Sequence, residues 1–138
     1  MASPSSVHQV RVRYGETDQM GVVHHASFIL YLEEARTHFM EERGESYADL
    51  ERSGIGLPVR SLSISYRSAA RFGETLDITT SVAQLKRASV TFGYEIRDSI
   101  DQRLIAEAEV ELACAQLAKE GMRVCALPQT LLQVLQAP

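Results

Sequence analysis

The spacing of apolar residues changes along this chain, and each change predicts a different element. From Val7 to Tyr14, "VHQVRVRY" alternates apolar and polar residues, the period-two signature of a strand. A polar stretch, Gly15 to His24, then breaks the alternation. From about His25 to Arg43 the period becomes helical, with Phe28, Leu32, Ala35 and Phe39 recurring on one face. Ile29, Tyr31 and Met40 widen that stripe, while Glu33, Glu34, Thr37, Glu41 and Glu42 take the opposite face. Gly44 is placed to end the helix. "ESYADLERSG" predicts a short second helix closed by Gly54.

Strands are expected after that. Val59 to Tyr66 alternates, "ARFGE" makes a turn, and "TLDITTSVAQLKR" is a long β-branched run. "ASVTFGYEIRD" continues with Val90, Phe92, Tyr94 and Ile96, and "SIDQ" turns again. "RLIAEAEVELACAQL" is rich in Ala and Glu, which favour helix, but its apolar residues keep period two and its neighbours are strands. A strand is therefore expected there. "LPQTLLQVLQ" closes the chain as a helix, with Pro128 near its first turn. One strand, one long helix and about four consecutive strands predict an α+β fold in which an antiparallel sheet wraps an apolar helix.

A chain of 138 residues suits a single domain, 1–138, with residues 1–6 expected as a flexible tail. The net charge of −4 argues against nucleic acid as a partner. No apolar run approaches the roughly 20 residues that span a membrane, and "MASPSSVHQV" lacks the marks of a signal peptide. A cytoplasmic protein is expected, with Cys114 and Cys125 as reduced thiols and Cys114 as small core filler.

The candidate chemistry gathers where the first strand gives way to the long helix. Asp18 lies in a loop with Gly15 and Gly21 on either side. A helix start offers unpaired N–H groups and the positive end of the dipole, which can hold a developing oxyanion. A carboxylate facing such donors can attack an acyl carbon or activate water. The same Asp18 can equally make an Asx turn that shapes the loop. His24 and His25 offer acid/base groups, but neighbouring residues at a helix start are expected to point apart, and no third ligand sits at metal spacing. No metal is expected. His38 is expected to face solvent, and Glu33 and Arg36, three apart, to form a rim ion pair. The helical part around residues 33 to 52 is acidic, whereas Arg60, Arg67, Arg71, Lys86 and Arg87 make a basic stretch. That stretch can serve as a patch for an anionic ligand or be an ordinary solvated face.

Two runs carry a resemblance: "RYGETDQMGVVHHASFILYLEEART" and "LSISYRSAARFGETLDITTSVAQLKRASVTFGYEI". They resemble the hotdog-fold acyl-CoA thioesterases of the 4-hydroxybenzoyl-CoA thioesterase type, nearest to the short bacterial subgroup associated with the Tol–Pal system. The resemblance spans roughly Val7 to Leu117 and implies a five-stranded antiparallel sheet wrapped around one central helix. It implies a dimer whose sheets join, often paired into tetramers, with active sites at the subunit interface. It makes Asp18 the nucleophile or general base and puts the His25 N–H at the thioester carbonyl. It places Gly21, Val23, His24 and Ser89 along the substrate, and Arg71, Lys86 and Arg87 at the coenzyme A phosphates. No separate cofactor is implied, because coenzyme A is part of the substrate. Where the subgroup often has Tyr, this chain has His24. An acyl carrier protein as the thiol carrier, and a non-catalytic acyl-CoA-binding module, are the alternatives.

Overall fold

A computed structural model describes residues 4–138. The first strand, β1, runs Ser5–Arg11. Two residues of the expected tail, Ser5 and Ser6, thus belong to the sheet, and residues 1–3 lie outside the described residues. The long helix α1 spans Ser27–Glu42, and α2 spans Tyr47–Arg52 with Ser46 capping it through the Asp49 N–H. Strands β3 (Val59–Tyr66), β4 (Thr75–Leu85), β5 (Ser89–Asp98) and β6 (Leu104–Ala113) follow. The five long strands form one antiparallel sheet in the order β1-β4-β5-β6-β3. The chain ends in helix α3, Gln129–Gln136, entered through Pro128 at its N-cap.

A small second sheet is an addition that the hydrophobic pattern did not reveal. It joins β2 (Ile55–Gly56), β7 (Ala115–Ala118) and β8 (Gly121–Val124). Its strands are too short to show a period. The expected strand from Arg103 onward is therefore divided at Cys114 between β6 and β7.

Period two explains why the Ala- and Glu-rich β6 is a strand. Ala106, Ala108, Val110 and Leu112 are buried, while Glu107 and Glu109 alternate with them at the surface. Tertiary burial of every second residue outweighs the modest helix preference of Ala and Glu. Each inward β6 residue stands opposite an inward β5 residue: Leu112 with Val90, Val110 with Phe92, Ala108 with Tyr94. Against this face packs α1 through Phe28, Tyr31, Leu32, Ala35, Phe39 and Met40, all buried. Phe39 meets Phe92 edge-to-face at 5.5 Å, an arrangement favoured by the ring quadrupoles. Ile29, expected on that stripe, is exposed beside Leu30. Cys114 is buried as expected, its Sγ 3.5 Å from that of Cys125, and burial pushes its thiol pKa up to about 12.

Two polar expectations on α1 fail. His38 does not project freely into solvent: its ring lies 4.9 Å from that of His8 on β1, and its Nε2 is 3.0 Å from Glu42. Arg36 forms no ion pair with Glu33 and is buried instead. A spacing of three residues makes them neighbours on the helix surface, but Glu33 stays exposed while Arg36 is packed beneath Tyr47 and Leu57.

Candidate active site

The segment between β1 and α1 is held by backbone bonds more than by side chains. Tyr14–Glu16 makes a single 3-10 turn. The chain then doubles back, with Thr17 bridged to Val23 and Val22 bridged to Arg71. The Asp18 N–H donates to the Val22 carbonyl at 2.8 Å, and the Gly21 N–H to the Asp18 carbonyl at 3.0 Å. Gly21 has φ +79°, a left-handed conformation that glycine adopts without strain and that closes this turn. On the far side, the Val23 N–H donates to the Ala70 carbonyl at 2.8 Å, fixing the loop to the β3–β4 connection.

Asp18 sits half-buried in this loop. Its Oδ1 accepts the Met20 N–H at 2.8 Å and the Val22 N–H at 3.4 Å, so the Asx-turn geometry is present. Its Oδ2 has no hydrogen-bond donor among the described residues. One oxygen therefore holds the loop while the other is left for a ligand. Asp18 lines a cleft of about 360 Å³ together with Val22, Val23, His25 and Phe28 from its own segment. Tyr66, Arg67, Ser68, Ala69 and Ala70 form the opposite wall.

The donors at the helix start are arranged differently from a simple open N-terminus. The first N–H groups of α1 already bond backward: Ser27 to His24 at 2.9 Å, Phe28 to His25 at 3.3 Å, Ile29 to Ala26 at 3.2 Å. The Ala26 N–H donates to Nδ1 of His24 at 3.1 Å. The N–H of His25 finds no acceptor among the described residues. It is a free donor beside the cleft, just ahead of the positive end of α1. The rings of His24 and His25 do not diverge but stack, 4.2 Å apart at 29°. Among the described residues no group of three or more His, Cys, Asp or Glu is arranged to hold a metal ion.

Two residues missed in the sequence, Tyr66 and Glu16, build this site. Tyr66 ends β3; its hydroxyl donates to the His25 carbonyl at 3.2 Å, and its ring meets Phe28 edge-to-face at 5.3 Å. Tyr66 was legible only as the last residue of a strand, and nothing in its neighbourhood marked it. Glu16 is a half-buried tether. Its side chain accepts the Arg13 N–H and the Tyr31 hydroxyl, each at 2.8 Å, and its carbonyl accepts the His24 N–H at 2.8 Å. Burial alone would raise the pKa of Glu16, but the Arg13 N–H, the Tyr31 hydroxyl and the Arg13 guanidinium outweigh it and hold it below the usual value.

The predicted site residues fall into two groups. Asp18, Gly21, Val23, His24 and His25 lie together, and the Val22 bridge brings Arg71 alongside them. Lys86, Arg87 and Ser89 lie elsewhere. They surround the turn at the far end of the eleven-residue β4, roughly 33 Å from the end that Arg71 precedes. In one chain they cannot share a ligand with Arg71 at short range. The expected basic patch is likewise divided: Arg60 reaches Glu111 at 4.0 Å and Arg67 reaches Glu107 at 3.5 Å, so both are neutralised on the sheet surface.

A five-stranded sheet wrapped on one helix, with a carboxylate loop closing on that helix's start, defines a thioesterase-type scaffold. Residues 12–135 match the family model of the Thioesterase-like superfamily, and the chain belongs to that family. The acyl-CoA thioester hydrolase YbgC of Escherichia coli is 33 % identical over 122 residues, 88 % of this chain and 89 % of its own. YneP of Bacillus subtilis is 36 % identical over 88 residues, and the chain spans 64 % of its length. Among solved structures, a Thermus thermophilus protein has a TM-score of 0.86 at 38 % identity, covering 94 % and 96 % of the two chains. The 4-hydroxybenzoyl-CoA thioesterase of a Pseudomonas strain shares the fold, with a TM-score of 0.87 at 22 % identity over 96 % and 99 %. The protein is a hotdog-fold thioester hydrolase of the acyl-CoA thioesterase kind.

Proposed function

We propose that Asp18 is the catalytic carboxylate of this acyl-CoA thioesterase and that the His25 N–H binds the oxyanion. The observation that carries the reading is the division of labour at Asp18. One oxygen is tied to Met20 and Val22, the other is free, and an unpaired N–H lies beside the same cleft. The free oxygen attacks the thioester carbonyl or takes a proton from an attacking water. Either way the carbonyl oxygen gains charge, which the His25 N–H and the α1 dipole stabilise. The carbon–sulfur bond breaks, coenzyme A leaves as the thiol, and water supplies the hydroxyl of the free acid. Tyr66 holds the His25 carbonyl, on the far side of the same Cα, and thereby steadies the residue that carries the donor.

Substrate is bound across two subunits in this reading. Edge strand β3 is unpaired on one side and exposes Val59, Leu62 and Tyr66. A second copy added antiparallel to this edge extends the sheet and gives each active site a wall from the other subunit. Because Lys86, Arg87 and Ser89 stand so far from Asp18 in one chain, their contact with coenzyme A comes from the second copy. A cytoplasmic location and a place nearest the Tol–Pal-associated subgroup fit the sequence resemblance. No described helix is long and apolar enough to cross a membrane.

Thiol release from short acyl, long acyl, hydroxybenzoyl and dihydroxynaphthoyl esters of coenzyme A tests the assignment, with wild type and Asp18→Asn compared. Asparagine keeps the Oδ1 acceptor and so the loop, and removes the charge. Loss of a group that acts in the transition state lowers kcat by about 10³-fold or more. Full activity in a folded Asp18→Asn protein refutes the role. Absence of turnover in the wild type redirects the reading to a carrier-protein thioester or a binding module.

A further inference from the structure

The buried face of α1 carries a cation with no anion beside it. Arg36 is only 8 % exposed. No carboxylate of the described residues comes within 4.0 Å of its guanidinium, although the half-buried Arg43, Arg97 and Arg103 are each paired with one. Two tyrosines converge on it, Tyr47 from α2 and Tyr94 from β5. Burial raises the pKa of both phenols, and the charge of Arg36 opposes that rise. Both hydroxyls are buried and lack a hydrogen-bond partner among the described residues. A cleft of about 330 Å³ opens onto Arg36 and Tyr47, with Leu57 on one wall and Glu33 and Glu51 at its edge.

An unpaired buried charge costs several kcal/mol, and buried polar groups without partners are rare in native proteins. Two such groups, the Arg36 guanidinium and the Tyr47 hydroxyl, meeting at one cleft describe the donor set of an anion site. A guanidinium presents two parallel N–H groups that match the two oxygens of a carboxylate. The Tyr47 hydroxyl offers a further donor. Glu33 and Glu51 repel a dianion such as phosphate more than a singly charged acid. Leu57 supplies an apolar surface for the rest of the molecule. Arg36 lies eight residues beyond Phe28, about 12 Å further along α1 than the thioester cleft.

We propose that Arg36 and Tyr47 form a second ligand site, separate from the Asp18 cleft, that binds the carboxylate of a small organic acid. Thioester hydrolysis releases an acid of this class, so the reaction's own product can occupy it. The site itself does not depend on the assignment of Asp18.

The test follows the Arg36 Nε–H resonance in the full chain labelled with ¹⁵N-arginine, assigned by its loss in Arg36→Lys. Benzoate, acetate and inorganic phosphate are titrated at constant ionic strength and pH 7. The expected result is a saturable shift with benzoate and acetate, a much weaker response to phosphate, and the same affinities in Asp18→Asn. Tyr47→Phe, which removes one donor and keeps the ring, weakens carboxylate binding several-fold. Thermal melting gives the parallel readout: saturating benzoate raises the midpoint of the wild type more than that of Tyr47→Phe. No saturable shift, an equal shift with phosphate, or a shift that disappears in Asp18→Asn overturns the proposal.

Discussion

Tyr31→Phe removes one oxygen and isolates the tether between the Asp18 loop and the core helix. Tyr31 is 2 % exposed, and its hydroxyl donates to Glu16 Oε1 at 2.8 Å. Phenylalanine keeps the ring and its edge-to-face contact with Phe28 at 5.7 Å, so no large cavity opens. A hydrogen bond to a charged partner contributes about 1.5–3 kcal/mol. With the urea slopes usual for small proteins, a loss of about 2 kcal/mol lowers the midpoint by roughly 1 M. The pH dependence has a definite sign. Glu16 has a folded pKa below its unfolded value, so its contribution is present above the unfolded value, about 4.5. That contribution is lost as pH falls through the lower folded value. The gap between wild type and variant is therefore largest near pH 7 and narrows below about pH 4.5. Catalysis responds as well, because the Glu16 carbonyl also holds the His24 N–H and the Ser27 hydroxyl at the helix start. Displacing catalytic groups by a fraction of an ångström lowers kcat by about tenfold, short of the 10²-fold loss for a full ångström. Urea unfolding at fixed protein concentration and steady-state thiol release measure the two effects. An unchanged midpoint refutes the tether; a lowered midpoint with full kcat refutes its positioning role.

Gly21→Ala meets no atom within 4 Å of the new Cβ, so its cost comes from φ +79° alone, about 1 kcal/mol. The urea midpoint and kcat both fall, and a variant as stable and active as wild type shows that the loop does not need the left-handed residue. Leu62→Lys puts a charge on the exposed β3 edge, where Leu62 is 40 % exposed in one chain. Sedimentation then shows a monomer in place of the dimer, and an unaltered dimer rules out pairing through this strand.

Much of the fold was written in local periodicity, because burial selects every second residue of a strand and one stripe of a helix. The five long strands, α1, α2 and α3 each leave that mark within their own span, and even the Ala-rich β6 keeps it. The gathering of Asp18 and His25 at one cleft was legible too, since they lie within one short segment closed by the Gly21 turn. Residues that depend on distant partners left no such mark. Tyr66 reaches His25 across 41 positions of sequence, and Glu16 acts through Tyr31, whose ring reads simply as core. Arg36 shows the limit most directly. Three-residue spacing suggests an ion pair with Glu33, but packing against Tyr47 and Leu57 decides which residue is covered, and it covers the arginine. Likewise, sequence alone grouped Arg71 with Lys86 and Arg87 as one basic stretch, and the extended β4 strand sets them at opposite ends. Local chemistry follows from neighbours in the chain; burial, pairing and separation follow from how the elements pack.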